Sequence, residues 1–400
     1  MDKCIAQELL VFQNGERFPI LLGDDGKPLF YPNLYIVVSK RSANVAAKTL
    51  AQTERAIMLL VQWAMLEGFD IHQRFKTGQF LVLHEIESLA NAASMYYADL
   101  YDTEYSNKKV HRVVGSSLIY TRLSYIFKYL DWLAKLHNKK LLDSEQLNHF
   151  EFLRTQMLEH IKSRRPSVNN KSINPRIGLT ETCELIMCEA VIPEGEKNPW
   201  KSYEVQFRNQ LIVLLLLKLG IRVGELLSIE CADIDFNQNN IFIRRYPDNL
   251  KDPRKYEPNT KTRDRKLPLN SELIELLNKY IIEIRPKNIK VRQHGFLIVA
   301  MNTGMPLSQS SVTKIFKNLS KKTENLPDNT SPHILRHTWN DRFSEVCEKN
   351  EISEEEEKKM RSYLMGWSEV SESASKYTKR YVSRKAYQAS LDLQNSIGEV

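Results

Sequence analysis

Two short stretches of this chain bring together residue types able to act on a charged substrate. The first is Gly220-Ile221-Arg222-Val223-Gly224-Glu225-Leu226-Leu227, in which Arg222 and Glu225 stand three apart and share a helix face. Alone, such a spacing describes an ordinary surface ion pair of small energetic value. The second is Thr330-Ser331-Pro332-His333-Ile334-Leu335-Arg336-His337-Thr338. Ser331 is a good N-cap and Pro332 suits the first helical position, so His333, Arg336 and His337 project from one face of an opening turn. A helix N-terminus, a permanently charged guanidinium and two imidazoles converging there make a cradle for a phosphate oxygen.

The elements that must position these residues are mostly helical. Residues 1–43 combine short apolar stretches with turn signals at Asp24-Asp25-Gly26 and Tyr31-Pro32-Asn33, which predicts a small extended arm or hairpin. From Ala43 to Glu67 apolar residues recur at helical spacing (Leu50, Ile57, Leu60, Trp63) until Gly68 stops the pattern. Further helical stretches over 79–100, 110–136 and 144–161 complete a compact helical domain, 44–162. The stretch over 110–136 carries Arg112, Arg122, Lys128 and Lys135 beside Tyr125 and Trp132; for any one of them a solvated charged face opposite a packed aromatic face is the ordinary reading. Periodicity is then lost in a basic, turn-rich linker, 163–176, containing Arg164, Arg165 and Lys171. Such a linker is either simply solvated or laid against phosphates. Thr180-Glu181 opens a second domain, 177–400, helical except for a strand-like insertion from Ile241 to Leu269.

Composition sets bounds on this. With 42% apolar and 26% charged residues among 400, the chain is long enough for two folded domains and too apolar for disorder. The net charge of +8 has the sign of a polyanion binder. The longest apolar run, Leu211 to Leu217, is far short of the ~20 residues that span a bilayer, and the N-terminus has no apolar leader, so no membrane partner and a cytoplasmic location are expected. Five scattered cysteines without a C-x-x-C pair argue against a disulfide framework and a zinc site.

In order, Arg222 with Glu225, His333-x-x-Arg336-His337, Leu364-Met365-Gly366-Trp367 and Tyr377-Thr378 resemble the signature of the tyrosine recombinases, the phage integrase family. The set spans nearly all of the second domain. The resemblance implies a mainly α fold with a small β-sheet: a helical, SAM-like core-binding N-terminal domain and an α+β catalytic domain, closing as a clamp round duplex DNA. It also implies a bacterial, DNA-associated site-specific recombinase that cuts and rejoins DNA through a 3′-phosphotyrosine, for integration or excision of a mobile element. The implied partners are duplex DNA, three further copies of the chain in a tetramer, and an accessory DNA-bending protein. No metal or nucleotide cofactor is implied, since the bond energy is kept in the phosphotyrosine.

Within that resemblance Arg222 and Arg336 clamp the phosphodiester, supported by Glu225 and His337, and Tyr377 is the nucleophile. A phenol ordinarily titrates near 10, so it needs a base, for which His333 is the candidate, and a cationic field. The family's general acid is a lysine in a strand hairpin, which puts Lys261 in that role; Lys266 is its rival, on the opposite face of an alternating strand. Arg122, Lys128, Arg164, Arg165 and Lys171 become candidate DNA contacts. Three departures stand out. Trp367 occupies a position where most members carry histidine, and offers an N–H donor that cannot shuttle protons. The interval from Trp367 to Tyr377 is one residue longer than usual, leaving Tyr381 as a fallback nucleophile. The acidic segment Glu351–Lys359 lengthens the interval after His337 and reads as a solvated helix facing away from DNA. The weakly helical tail beyond Val382 is expected to dock on a neighbouring protomer or on its own domain. Alternative functions are a type IB topoisomerase-like relaxase and a non-catalytic DNA-binding regulator on the same fold; a metal-dependent nuclease would need convergent carboxylates that the acidic block lacks.

Overall fold

The computed structural model describes residues 5–43, 45–100, 112–138, 144–167, 178–246, 248–258, 262–368 and 371–397. The chain divides into two units, Met1–Ser172 and Ile173–Val400. Lys171 and Lys261 lie outside the described residues.

In the first unit β1 (Ala6–Val11) and β2 (Arg17–Leu22) form an antiparallel hairpin in register from Ala6↔Leu22 to Val11↔Arg17. Six helices follow among the described residues: α1 (Phe30–Ser39), α2 (Ala47–Leu66), α3 (Ile71–Lys76), α4 (Leu83–Ser94), α5 (Ser116–Asn138) and α6 (Ser144–Ser163). The periodic residues of α2, Leu50, Ile57, Leu60 and Trp63, are all buried, in one core with Leu123, Ile126, Leu130 and Leu133 of α5. Gly68, at φ +84°, ends the α2 segment as its spacing predicts.

Residues 5–43, read as a small extended arm or hairpin, form that hairpin together with α1 and pack into the core of this unit. Phe18 and Leu21 of β2 and Tyr35 and Ile36 of α1 enter the same core, and Gln7 Nε2 donates to Ala51 O at 2.9 Å. Helix α1 went unread because Tyr31-Pro32-Asn33 looks like a turn. Pro32 sits in the helix's first turn, where its missing N–H costs nothing. Asn33 is occupied tertiarily, exchanging hydrogen bonds with the backbone of Leu21 at 3.0 and 2.9 Å.

The second unit is built on α8 (Tyr203–Leu219), preceded by α7 (Glu181–Ala190). Thr180 Oγ1 accepts from Cys183 N, the cap the sequence indicates. Leu211 through Leu216 are buried all round, so α8 is the central helix of the unit. After α9 (Val223–Ser228), β3 (Ile234–Asp235), β4 (Asn240–Ile243) and β5 (Arg265–Pro268) form an antiparallel sheet in sequence order, with Ile243 opposite Arg265. Ile241 and Leu267 face the core shared with Leu226 and Leu335. There follow α10 (Ser271–Lys279), α11 (Gln309–Lys322), α12 (Pro332–Lys349), α13 (Glu354–Met365) and α14 (Ser373–Ile397).

Helix α12 packs on α8. The acidic segment is only partly the solvated helix expected. Glu354 and Glu355 pair with Lys358 and Lys359 on the surface, but Glu357 is buried, taking hydrogen bonds from Ser344 Oγ at 2.8 Å and from Arg361. Arg361 is fully buried and also donates to Asn340 O at 2.8 Å, so α13 is pinned to α12 through charge. The tail is a continuous helix with Val382, Tyr387 and Leu393 exposed. No helix among the described residues is long and apolar enough to cross a membrane.

Candidate active site

The site grows outward from Glu225, which is 1% exposed in the first turn of α9. Its carboxylate accepts from the backbone N–H of Arg222 at 2.8 Å, from Arg265 Nη2 at 2.9 Å and Nη1 at 3.3 Å, and from the hydroxyl of Thr262. Burial alone would raise its pKa, but Arg265, then Arg336 and the Thr262 hydroxyl, hold it below the usual carboxylate range. The expected ion pair of Arg222 and Glu225 is present at 3.6 Å, yet Glu225 is mainly the anchor of a buried network. Arg222 is left half-exposed with its Nη1 buried and beyond hydrogen-bonding distance of any acceptor among the described residues.

Arg336 reaches the same place from α12. Its Nη1 donates to Gly220 O at 2.7 Å and its Nη2 lies 3.5 Å from Met365 O. Trp339, one turn along, donates to Lys218 O at 3.0 Å, so α12 is tied to the end of α8 twice. Gly220 adopts φ +61°, and a Cβ there would stand 2.7 Å from the Trp339 ring, which is why the turn into Arg222 carries glycine. Burial, followed by the nearby Arg222, pulls the pKa of Arg336 down to about 10, still charged at neutral pH. Three guanidiniums, of Arg222, Arg265 and Arg336, therefore surround one carboxylate, a local excess of positive charge suited to an anion.

His333 and His337 do share a face of α12. Their Nε2 atoms are 3.1 Å apart, so one ring donates to the other. His333 is exposed and His337 is buried beneath it. The Tyr377 ring lies 5.5 Å from that of His337 and stacks on Trp367 at 5.6 Å, 11° from parallel. Arg336 sits 5.3 Å over the Trp367 ring. Trp367 Nε1 is buried with no acceptor among the described residues. Buried donors without a hydrogen-bond acceptor are costly, and two of them at one cationic site, Arg222 Nη1 and Trp367 Nε1, mark a place prepared for acceptor atoms from outside the chain.

The sequence thus names a cluster that the fold assembles: Arg222, Glu225, Arg336, His333, His337, Trp367 and Tyr377. Tyr381, the fallback nucleophile, is turned away; it is buried, and its hydroxyl donates to Glu348 near the far end of α12. Lys266 points to the outer face of the sheet, bonded to Gln238 Oε1 at 2.6 Å and lying over Phe242. Lys261 falls in the β4–β5 connection, outside the described residues, next to Thr262, whose hydroxyl is on Glu225. Arg265 was missed. Strand alternation puts it on the face of Leu267 and Leu269, and an arginine on an apolar face requires a buried carboxylate, so the signal was available. Arg361, 5.8 Å beneath the Tyr377 ring, had no such signal.

The candidate DNA contacts of the first unit fare differently from one another. Arg122 is a correction: it is buried, and its guanidinium donates to Ala93 O and Met95 O at 2.9 and 2.6 Å, tying α5 to the end of α4 rather than facing a ligand. Lys128 is exposed. Arg164 pairs with Glu87 at 3.0 Å, and Arg165 lies over the Phe127 ring at 4.4 Å. No group of three or more His, Cys, Asp or Glu side chains among the described residues is arranged to hold a metal ion.

A helical unit with a three-stranded sheet gathers two arginines, a histidine pair, a tryptophan and a tyrosine in the chain order of the tyrosine recombinases. The phage integrase family model matches residues 200–384, most of the second unit, and supports a tyrosine recombinase. Tyrosine recombinase XerD of Staphylococcus saprophyticus is 30% identical over 133 residues, which cover 33% of this chain and 40% of the relative. Tyrosine recombinase XerC of Staphylococcus haemolyticus is 26% identical over 217 residues, 53% of this chain and 64% of the relative. The chain thus matches between two fifths and just under two thirds of these relatives' lengths. The Tn1549 transposon integrase in complex with circular intermediate DNA superposes with a TM-score of 0.51 at 17% identity, covering 87% of this chain and 94% of that one, a likeness of fold.

Proposed function

We propose that the protein is a site-specific recombinase that cleaves and rejoins duplex DNA through a covalent phosphotyrosine at Tyr377, for integration or excision of a mobile element by two rounds of strand exchange in a homotetramer. The observation that carries this reading is the pair of unsatisfied buried donors, Arg222 Nη1 and Trp367 Nε1, beside Arg336 and the Tyr377 ring stacked on Trp367. In the reaction the Tyr377 phenol oxygen attacks phosphorus and gives up its proton to the His333–His337 pair, of which His333 faces solvent. The bond from phosphorus to the 5′ oxygen breaks, and that oxygen takes a proton, a role the family resemblance assigns to Lys261. Arg222, Arg336 and Trp367 donate to the non-bridging oxygens as their charge grows; one such donor is typically worth ~10² to 10³ in rate. Attack by a 5′ hydroxyl reverses the steps and reseals the strand with no energy source.

The test is a suicide-substrate assay on nicked DNA from the junctions of the encoding element, comparing the natural protein with Tyr377→Phe. A protease-sensitive protein–DNA adduct that disappears in Tyr377→Phe is the expected result. An adduct that survives the substitution moves the nucleophile to Tyr381. Absence of any adduct on junction DNA would leave a DNA-binding regulator, and relaxation of supercoils without site preference would favour a type IB topoisomerase.

A further inference from the structure

We infer that Arg265 is a positioning residue for cleavage: it locks the segment carrying Arg222 to the turn carrying Trp367, so that the phosphate donors hold their spacing. This rests on the recombinase reading above. Arg265 enters β5 with its side chain almost fully buried. Two directions of its fork go to the two oxygens of Glu225, the residue that also holds the Arg222 backbone N–H and the Thr262 hydroxyl. The third, Nε, donates to Leu364 O at 2.6 Å, in the last turn of α13. Met365, whose carbonyl faces Arg336, Gly366 and Trp367 follow directly.

The backbone repeats the same tie, since Arg263 N donates to Gly366 O at 3.0 Å. Gly366 is at φ +64°, and a Cβ there would stand 2.8 Å from Arg265 Nη1 and 2.9 Å from Arg263 O. The turn is thus pressed against this guanidinium with no room for a side chain. A pair serving stability alone would need only Glu225; the Nε bond adds the Trp367 turn. A lysine would keep the charge but lacks the planar fork that reaches a carboxylate and a carbonyl at once. Misplacing a reacting group by about 1 Å costs roughly 10² in rate, so the loss of this tie should appear in the chemical step rather than in DNA affinity.

The experiment is single-turnover cleavage of the nicked junction substrate by the full chain carrying Arg265→Lys, Arg265→Ala or the charge-neutral double substitution Arg265→Met with Glu225→Gln. Each is paired with DNA affinity and with amide hydrogen exchange of the free protein. Expected are a cleavage rate lowered roughly 10²-fold at little-changed affinity, partial rescue of Arg265→Ala by guanidinium ion, and joint loss of exchange protection over 222–228 and 362–368. Should Arg265→Lys or Arg265→Ala not fold, the double substitution decides the matter. A double variant that melts like the natural protein and cleaves at its rate overturns the inference. If the natural protein forms no adduct, the recombinase reading fails separately; exchange then decides, with linked loss in the two segments supporting the positioning role and independent behaviour refuting it.

Discussion

Trp367 is the residue at which this site departs most from the tyrosine-recombinase pattern it resembles, and its surroundings give the difference a physical sense. An indole supplies one N–H and a large flat face, and here the face is used twice, under Tyr377 and under Arg336, while the N–H is left without an acceptor. A histidine would offer a donor and a proton relay but less stacking surface; in the proposed mechanism the proton work falls instead to His333 and His337, 3.1 Å apart. The Trp367→Phe variant keeps the stack and deletes the donor. It should lower the adduct-forming rate by ~10² while shifting the melting temperature little. An unchanged rate would make Trp367 a packing residue only. Tyr381 shows the complementary case: one turn from Tyr377 on the same helix, it is committed to Glu348.

At the scale of elements, the β1–β2 hairpin shows how a segment that looks detachable becomes part of a core. It docks on α2 through Gln7, whose Nε2 donates to Ala51 O and, at 3.0 Å, to Glu54. Glu54 is fully buried, and that burial pushes its carboxyl up to about 7, opposed only in part by Gln7. A carboxyl with a raised folded-state pKa is bound to its proton in the native state while the unfolded chain has released it. The stability this proton holds is fully present below the unfolded value near 4.5 and is lost as pH rises through 7. Glu54→Gln should remove that dependence and stabilise the protein above pH 7 by as much as about 3 kcal/mol, read as a melting temperature that no longer falls between pH 5 and 8. An identical pH profile in the variant would mean that Glu54 is ionised and solvated through the hairpin.

For the whole molecule, the two units have separate hydrophobic cores among the described residues, one drawn from Ile5 to Ile161 and the other from Leu179 to Leu335. Each buries enough large side chains to fold alone. A fragment spanning 178–397 should give a cooperative thermal transition of its own by circular dichroism, with the helical content of the second unit. A fragment that aggregates or melts without a transition would mean that the second unit depends on residues 1–177.

Much of the site was legible because its chemistry sits in short local patterns. A cap, a proline and three spacings on one turn bring His333, Arg336 and His337 to one face, and the family order adds Arg222, Trp367 and Tyr377. The helices α2, α4, α5 and α6 follow from apolar period alone. What the sequence by itself determined was therefore the residue inventory and the helical character of both units. The tertiary structure alone decided which charges are spent internally: Arg122 on the carbonyls that end α4, Glu357 and Arg361 between α12 and α13, Arg265 between Glu225 and Leu364. It also decided which buried donors lack a hydrogen-bond acceptor among the described residues, Arg222 Nη1 and Trp367 Nε1. The reason is physical: periodicity encodes the face on which a residue lies, whereas the partners of a buried charge can lie far along the chain, 27 to 99 residues away for Arg122 and Arg265, and only packing brings them together.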